Sequence, residues 1–155
     1  MVSPDTPHSR AGSLPRDFID QKSKKVALKD FANKKVLLYF YPKADTPGCT
    51  VQSCLLRDIR KDIGKTAIIG VSPDEPAKQL KFDKKFDLGF TLLADTEHKV
   101  AKAYKVWKKK SMYGREYMGI ERSAFLIDEK GKILHAWYKI SPKDTPTNLL
   151  EALGT

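Results

Sequence analysis

The two cysteines of the chain lie close together in a segment that suits thiol chemistry. Pro47 and Gly48 follow an apolar stretch and turn the chain, which places Cys49 in the first turn of a predicted helix. Unpaired backbone N–H groups and the positive end of the helix dipole favour an anion there, and the thiolate is the nucleophilic form of cysteine. Thr46 brings a hydroxyl that can lie beside the sulfur. We therefore expect Cys49 to be reactive.

The second thiol, Cys54, follows five residues later. At this spacing two cysteines cannot form a disulfide while the helix is intact. Helical geometry puts the two Cα atoms about 8.6 Å apart, whereas a disulfide wants less than about 7 Å. Cys54 is therefore either a packed bystander, or the start of the helix unwinds so that the sulfurs can meet. The sequence favours unwinding, because residues 50–54 hold two β-branched residues, a serine and a cysteine, which are weak helix formers.

Alternating strand and helix patterns surround this segment. The predicted fold class is α/β, with a central mixed β-sheet flanked by helices and a final hairpin typical of a thioredoxin-like fold. The loop after residue 41 lies at the carboxyl end of a strand, where active sites of such sheets are found. Strands are predicted over residues 36–41, 66–71, 91–93, 123–127 and 132–138, and helices over residues 50–63, 76–86, 97–105 and 146–153.

Length and composition fit one globular domain. The chain has 155 residues, of which 41% are hydrophobic and 31% charged. We expect a flexible arm over residues 1–13 and one folded domain over residues 14–155. The longest apolar run, residues 36–41, is far too short to span a membrane, and the amino end has no signal-peptide pattern, so a cytoplasmic protein without membrane contact is expected. The three histidines lie far from the two cysteines in sequence and form no set with metal-ligand spacing, so no metal site is expected.

The charge is strongly positive, with 29 Lys and Arg against 19 Asp and Glu and a formal net charge of +10. The lysines form short, dispersed clusters, and no basic motif interleaved with aromatic residues accompanies them, so a solvated surface is favoured over nucleic-acid binding. Such a surface can also steer acidic protein partners by long-range attraction.

The segment over residues 39–58, YFYPKADTPGCTVQSCLLRD, resembles the active-site segment of the peroxiredoxins, and more narrowly of the bacterioferritin comigratory protein (PrxQ) subfamily. The similarity continues through residues 69–74, 90–95, 112–115 and 119–128, and covers roughly residues 14–140. It implies a thiol peroxidase on a thioredoxin-like fold that reduces hydrogen peroxide and organic hydroperoxides in antioxidant defence. It also implies a monomer that needs no cofactor and is regenerated by thioredoxin or a similar dithiol.

The resemblance also implies roles for five residues. Cys49 matches the cysteine that attacks the peroxide, and Cys54 matches the resolving cysteine that forms an intramolecular disulfide with it. Thr46 and Arg122 match the residues that activate the thiolate and polarise the O–O bond. Pro42 matches the proline that shields the pocket from water. The chain departs from the family pattern at position 124, which is alanine where threonine is expected.

Other functions remain as alternatives. A disulfide oxidoreductase of the thioredoxin fold, without peroxidase activity, would share the architecture, but it normally carries Cys-x-x-Cys, whereas four residues separate Cys49 and Cys54. A nucleic-acid-binding module would use the positive charge. A cysteine hydrolase would pair Cys49 with His98 or His135, neither of which has a recognisable catalytic context.

Overall fold

The computed structural model describes residues 18–31 and 33–154, so the arm expected over residues 1–13 lies outside the described residues. The strands are β1 (Val36–Phe40), β2 (Ala67–Ser72), β3 (Thr91–Ala94), β4 (Trp107–Met112), β5 (Arg115–Ile120), β6 (Ser123–Ile127) and β7 (Ile133–Trp137). The helices are α1 (Pro47–Asp58), α2 (Pro76–Phe86), α3 (Lys99–Ala103) and α4 (Asp144–Leu153), with short 3-10 helices at Leu28–Phe31 and Arg60–Asp62.

Five strands form one mixed sheet in the order β3-β2-β1-β6-β7. Strands β1, β2 and β3 are parallel, while β6 runs antiparallel to β1 and β7 antiparallel to β6. The carboxyl end of β1 therefore lies beside the carboxyl end of β2 and the amino end of β6. This arrangement brings the loop that leads into α1 close to the residue that precedes β6.

Strand β1 lies at the centre of the sheet and is buried on both faces, which explains its uninterrupted apolar sequence. Val36, Leu38 and Phe40 face one layer, which contains α3 and the base of the β4–β5 hairpin. Leu37 and Tyr39 face the opposite layer, which contains α1, α2 and α4. The sheet thus separates two hydrophobic cores, and α1 lies on the second.

The predicted elements are confirmed in type and order, with shifts at their ends. Helix α1 begins three residues before the predicted start and ends at Asp58, where a 3-10 turn takes over. Pro47 is the first residue of the helix. Proline suits this position because its ring fixes a helical φ and because its missing N–H would have no hydrogen-bond partner there. The second strand is shifted by one residue, and α4 begins two residues earlier than predicted.

A two-stranded hairpin formed by β4 and β5 has no counterpart among the predicted elements. Most of its side chains are half-buried or exposed, so the segment lacks the alternation of apolar and polar residues by which a strand is recognised. A tight turn at Tyr113 and Gly114, both with positive φ, connects the two strands.

Among the helices of the described residues, none is both long and apolar enough to cross a membrane.

Replacing Leu38 by alanine tests the central position of β1. Leu38 is fully buried and pairs with Ile69 and Phe125 on the neighbouring strands, so Leu38→Ala should lower the free energy of unfolding by about 2–5 kcal/mol. The matched change Leu134→Ala, at a side chain that is 38% exposed on β7, should cost at most about 1 kcal/mol. Urea denaturation followed by circular dichroism measures both, and equal losses would contradict this assignment of the core.

Candidate active site

Helix α1 begins at the end of the loop that follows β1, and Cys49 is its third residue. Thr50 is the first residue whose amide donates within the helix, to the Thr46 carbonyl at 2.8 Å. The amides of Gly48 and Cys49 therefore lie at the unpaired amino end, where the helix dipole favours negative charge. No acidic residue lies in this first turn. The structure thus places Cys49 in the first turn of α1, at the positive end of the helix dipole.

Arg122 brings a positive charge to the sulfur. Its Nη2 lies 3.4 Å from Cys49 Sγ, although 73 residues separate the two in sequence. The Arg122 carbonyl accepts a hydrogen bond from the Ile140 amide at 2.9 Å, which fixes the backbone just before β6. Because Cys49 is fully buried, the interaction between the guanidinium and a sulfur anion is poorly screened by water.

Gly48 makes room for this contact. A Cβ atom at that position would lie 3.1 Å from Arg122 Nη2 and 3.6 Å from Pro142 Cγ. A side chain there would press the guanidinium away from its present position. The glycine before Cys49 therefore lets Arg122 approach the helix without being displaced by a few tenths of an ångström.

Gln52 holds the other arm of the guanidinium. Its Oε1 accepts a hydrogen bond from Arg122 Nη1 at 2.8 Å, and its Nε2 donates to Thr145 Oγ1 at 2.9 Å. Thr145 Oγ1 in turn donates to the Ser141 carbonyl at 2.9 Å. Gln52 and Thr145 are buried, so this chain of bonds fixes Arg122 between α1 and α4 with little competition from water.

Ser53 connects the same helix to the sheet. Its Oγ lies 2.7 Å from the hydroxyl oxygen of Tyr39 on β1, and both residues are fully buried. Burial raises the pKa of Tyr39 far above its ordinary value, and the Ser53 hydrogen bond offsets only part of this effect. Tyr39 therefore remains a neutral hydroxyl and anchors the middle of α1.

Cys54 lies in the same unbroken helix as Cys49, and both thiols are free. Cys49 is buried and Cys54 half-buried. The structure thus shows the two cysteines in the separated arrangement that helical spacing predicts. A bond between them requires residues 49–54 to leave the helical conformation.

Thr46 and Pro42 lie in the loop between β1 and α1. The Thr46 hydroxyl donates to the Lys43 carbonyl at 2.7 Å, so its single proton is directed to the loop backbone rather than to the sulfur. Its oxygen can still accept hydrogen bonds. Pro42 is half-buried directly after Tyr41. The described contacts therefore bring Cys49 and Arg122 together, whereas Thr46 stabilises the loop.

The two histidines considered as hydrolase partners stack on tryptophans. The His98 ring lies 3.7 Å from the ring of Trp107, and that of His135 lies 5.4 Å from the ring of Trp137, measured between centroids. Within the described residues neither histidine hydrogen-bonds to Cys49, and no group of three or more His, Cys, Asp or Glu could hold a metal ion.

Gln52 and Ser53 were not predicted to be part of the site, and Gly48 was predicted only as part of the turn that precedes α1. The buried residues of α1 are Cys49, Gln52, Ser53 and Leu56. Spacings of three and four residues from Cys49 were the available signal, because two polar residues on a core-facing stripe must find buried partners.

A protein-family model described as the AhpC/TSA family matches residues 10–136. The chain belongs to the AhpC/TSA family. Its relatives include Peroxiredoxin Bcp of Bacillus subtilis (strain 168), 48% identical over 130 residues that cover 83% of each protein. Peroxiredoxin Bcp of Escherichia coli (strain K12) is 46% identical over 132 residues, which cover 83% of this chain and 85% of that protein. The resemblance to the peroxiredoxins is thereby confirmed.

Solved peroxiredoxin structures have the same fold. A Xanthomonas campestris peroxiredoxin Q matches with a TM-score of 0.85 and 32% identity, covering 93% of this chain and 91% of that one. A structure of the bacterioferritin comigratory protein of the same organism matches with a TM-score of 0.85 and 31% identity, covering 93% and 92%. These matches confirm the predicted thioredoxin-like fold, and peroxiredoxins are thiol peroxidases.

Gln52→Met tests whether Gln52 positions Arg122. The substitution keeps the volume but removes both hydrogen bonds, so peroxide reduction by the chain should slow about tenfold or more. Gln79→Met is the matched control, since Gln79 is equally buried but bonds to Tyr41 and the Leu93 carbonyl instead. Stopped-flow measurement of a single turnover compares the two, with unfolding free energies recorded for each. Equal slowing in both variants would indicate a general loss of packing and contradict the positioning role.

Proposed function

We propose that the chain reduces hydrogen peroxide and organic hydroperoxides through Cys49, in the role of an antioxidant enzyme. The observation that carries this proposal is the 3.4 Å contact between Arg122 Nη2 and Cys49 Sγ at the amino end of α1. A nucleophile, a fixed positive charge and unpaired N–H groups converge there, which is what cleavage of an O–O bond needs. The name of the matching Xanthomonas campestris structure refers to alkyl peroxide reduction, which supports organic hydroperoxides as substrates.

In the proposed first step the Cys49 thiolate attacks one peroxide oxygen in line with the O–O bond. An S–O bond forms as the O–O bond breaks, and the departing oxygen takes a proton to leave as water or an alcohol. Sulfur is oxidised to sulfenic acid while the peroxide is reduced. Arg122 and the helix-start amides stabilise the charge on the departing oxygen because they are fixed before the reaction.

Access to the sulfur requires motion. Cys49 exposes none of its surface, so a peroxide reaches it only when neighbouring side chains move. We assign Pro42 to the shielding of this pocket, since it lies half-buried at the start of the loop. Thr46 stabilises the loop through its hydrogen bond to the Lys43 carbonyl. Its hydroxyl oxygen can still accept a hydrogen bond from the peroxide or from the Cys49 thiol.

Cys54 resolves the sulfenic acid in the second step. Its thiolate attacks the Cys49 sulfur, the S–S bond forms, and the hydroxyl leaves as water after taking a proton. This step requires α1 to unwind over residues 49–54, which breaks the bonds of Gln52 to Arg122 and Thr145 and of Ser53 to Tyr39. The weak helix propensity of this segment keeps the cost of unwinding low.

Regeneration then needs a dithiol donor, and we propose thioredoxin or a similar protein, which exchanges thiols with the disulfide and restores both cysteines. Such chemistry fits a reducing compartment, so we place the protein in the cytoplasm. Since both cysteines of the cycle belong to one helix of one chain, a monomer suffices for turnover.

Serine substitutions at the two cysteines test the proposed cycle. Cys49→Ser should abolish peroxide consumption, because no other sulfur of the described residues hydrogen-bonds to Arg122. Cys54→Ser should still consume one equivalent of peroxide and then stall with thioredoxin, while Cys49 is over-oxidised. Peroxide consumption together with intact mass measures both results.

Two outcomes would contradict the cycle. Substantial turnover by Cys49→Ser would remove this thiol from the reaction. Normal cycling by Cys54→Ser would leave Cys54 as a packed bystander and point to direct reduction of the sulfenic acid by the external donor.

A further inference from the structure

A cluster of lysines lies beside the loop that leads into α1, on the side covered by α2. Four lysines line a cleft of about 510 Å³ whose base includes Ala44 and Phe82. We call this surface the lysine face; its cationic members are Lys43, Lys78, Lys81 and Lys85. Lys78, Lys81 and Lys85 follow one another at spacings of three and four residues, so they share one side of α2. All four are exposed.

The carboxylates of the cleft are already engaged. Asp45 pairs with Lys85, with 2.9 Å between Oδ2 and Nζ. The Asp74 carboxylate accepts hydrogen bonds from the Ala44 amide and the Ser72 hydroxyl, both at 2.7 Å. In the part of the chain that the structure describes, Lys43, Lys78 and Lys81 have no carboxylate within ion-pair distance. Among the described residues, the lysine face therefore keeps a net positive charge, since four lysines face the two carboxylates of Asp45 and Asp74.

This surface lies beside the loop that precedes the reactive segment. Ala44, at the base of the cleft, and Cys54 both pack against the hydrophobic cluster that contains Cys49 and Phe82. The Lys85–Asp45 ion pair connects α2 to the loop four residues before Cys49. A protein bound over the cleft would consequently lie next to residues 49–54, where the disulfide of the proposed cycle forms.

We propose that the lysine face is the docking surface for a dithiol reductant protein with an acidic surface around its own thiols. The proposal rests on the proposed function, since it requires a disulfide between Cys49 and Cys54. Charge complementarity selects this partner, because unneutralised lysines around a small apolar base attract and orient an acidic protein surface. A peroxide carries no charge to be steered, so the lysine face acts on the reductive half of the cycle and leaves the oxidative half unaffected.

The experiment compares two pairs of neutralised lysines. The test variant is Lys78→Gln/Lys81→Gln on α2. The control is Lys130→Gln/Lys132→Gln in the turn between β6 and β7, which lies at the opposite end of the sheet because Ile127 pairs with Val36 at the start of β1. All four lysines are exposed, and each variant loses the same charge. Turnover is measured with a thioredoxin of net negative charge, and separately with dithiothreitol.

With thioredoxin at low salt, kcat/KM of the test variant should fall about fivefold, and that of Lys78→Glu/Lys81→Glu about twentyfold or more. The control should stay near the wild-type value. The difference should vanish near 1 M salt, where the Debye length is about 3 Å. The single-turnover reaction with peroxide and the turnover supported by dithiothreitol should match the wild type in every variant.

Three results would overturn the inference. If kcat/KM with thioredoxin falls equally in the test and control variants, the effect depends on net charge and not on the lysine face. A loss that extends to dithiothreitol would indicate damage to the site. If the wild type turns over with dithiothreitol but not with thioredoxin, the proposed docking partner is excluded, while the proposed peroxidase function stands. Absence of peroxide consumption with either donor would instead overturn the proposed function, and the inference with it.

Discussion

One helix carries both sulfurs, and this constraint determines how the site can work. At the amino end of α1, the Cys49 sulfur lies at the positive end of the helix dipole and 3.4 Å from Arg122 Nη2, an arrangement that suits the proposed attack on an O–O bond. The same helix keeps Cys54 too far away for a disulfide. The conformation that reacts with peroxide is therefore incompatible with the disulfide, and the two halves of the proposed cycle need different conformations of residues 49–54.

Two opposing properties of that segment set the balance between these conformations. Its residues are weak helix formers, which lowers the cost of opening. Gln52 and Ser53, however, are fully buried and bonded to Arg122, Thr145 and Tyr39. Each buried hydrogen bond contributes a net of about 0.5–1.5 kcal/mol. The folded helix is thus stabilised over the opened segment by only a few hydrogen bonds. A free-energy difference of this size lies within the range of local opening in native proteins.

The sequence was sufficient for the elements that depend on local pattern. Strand β1 follows from its apolar run, and α1 follows from the turn at Pro47 and Gly48, although the helix begins three residues before its predicted start. Each element reflects burial or backbone preference within one segment. The contact of Arg122 with Cys49 depends on tertiary structure across 73 residues; residue pattern alone did not reveal it, and the family resemblance supplied it. Gln52 and the β4–β5 hairpin were missed, because a polar residue on a buried stripe and a mostly exposed strand pair violate the patterns by which helices and strands are recognised.

Hydrogen–deuterium exchange across α1 tests the central claim most directly, that one helix must fold for attack and unfold for resolution. The amides of residues 50–54 should be protected in the reduced protein. After one equivalent of peroxide they should lose that protection, while intact mass records the two hydrogens lost as the disulfide forms. Retained protection in a protein whose mass shows the Cys49–Cys54 bond would contradict the account, because the bond would then form across an intact helix.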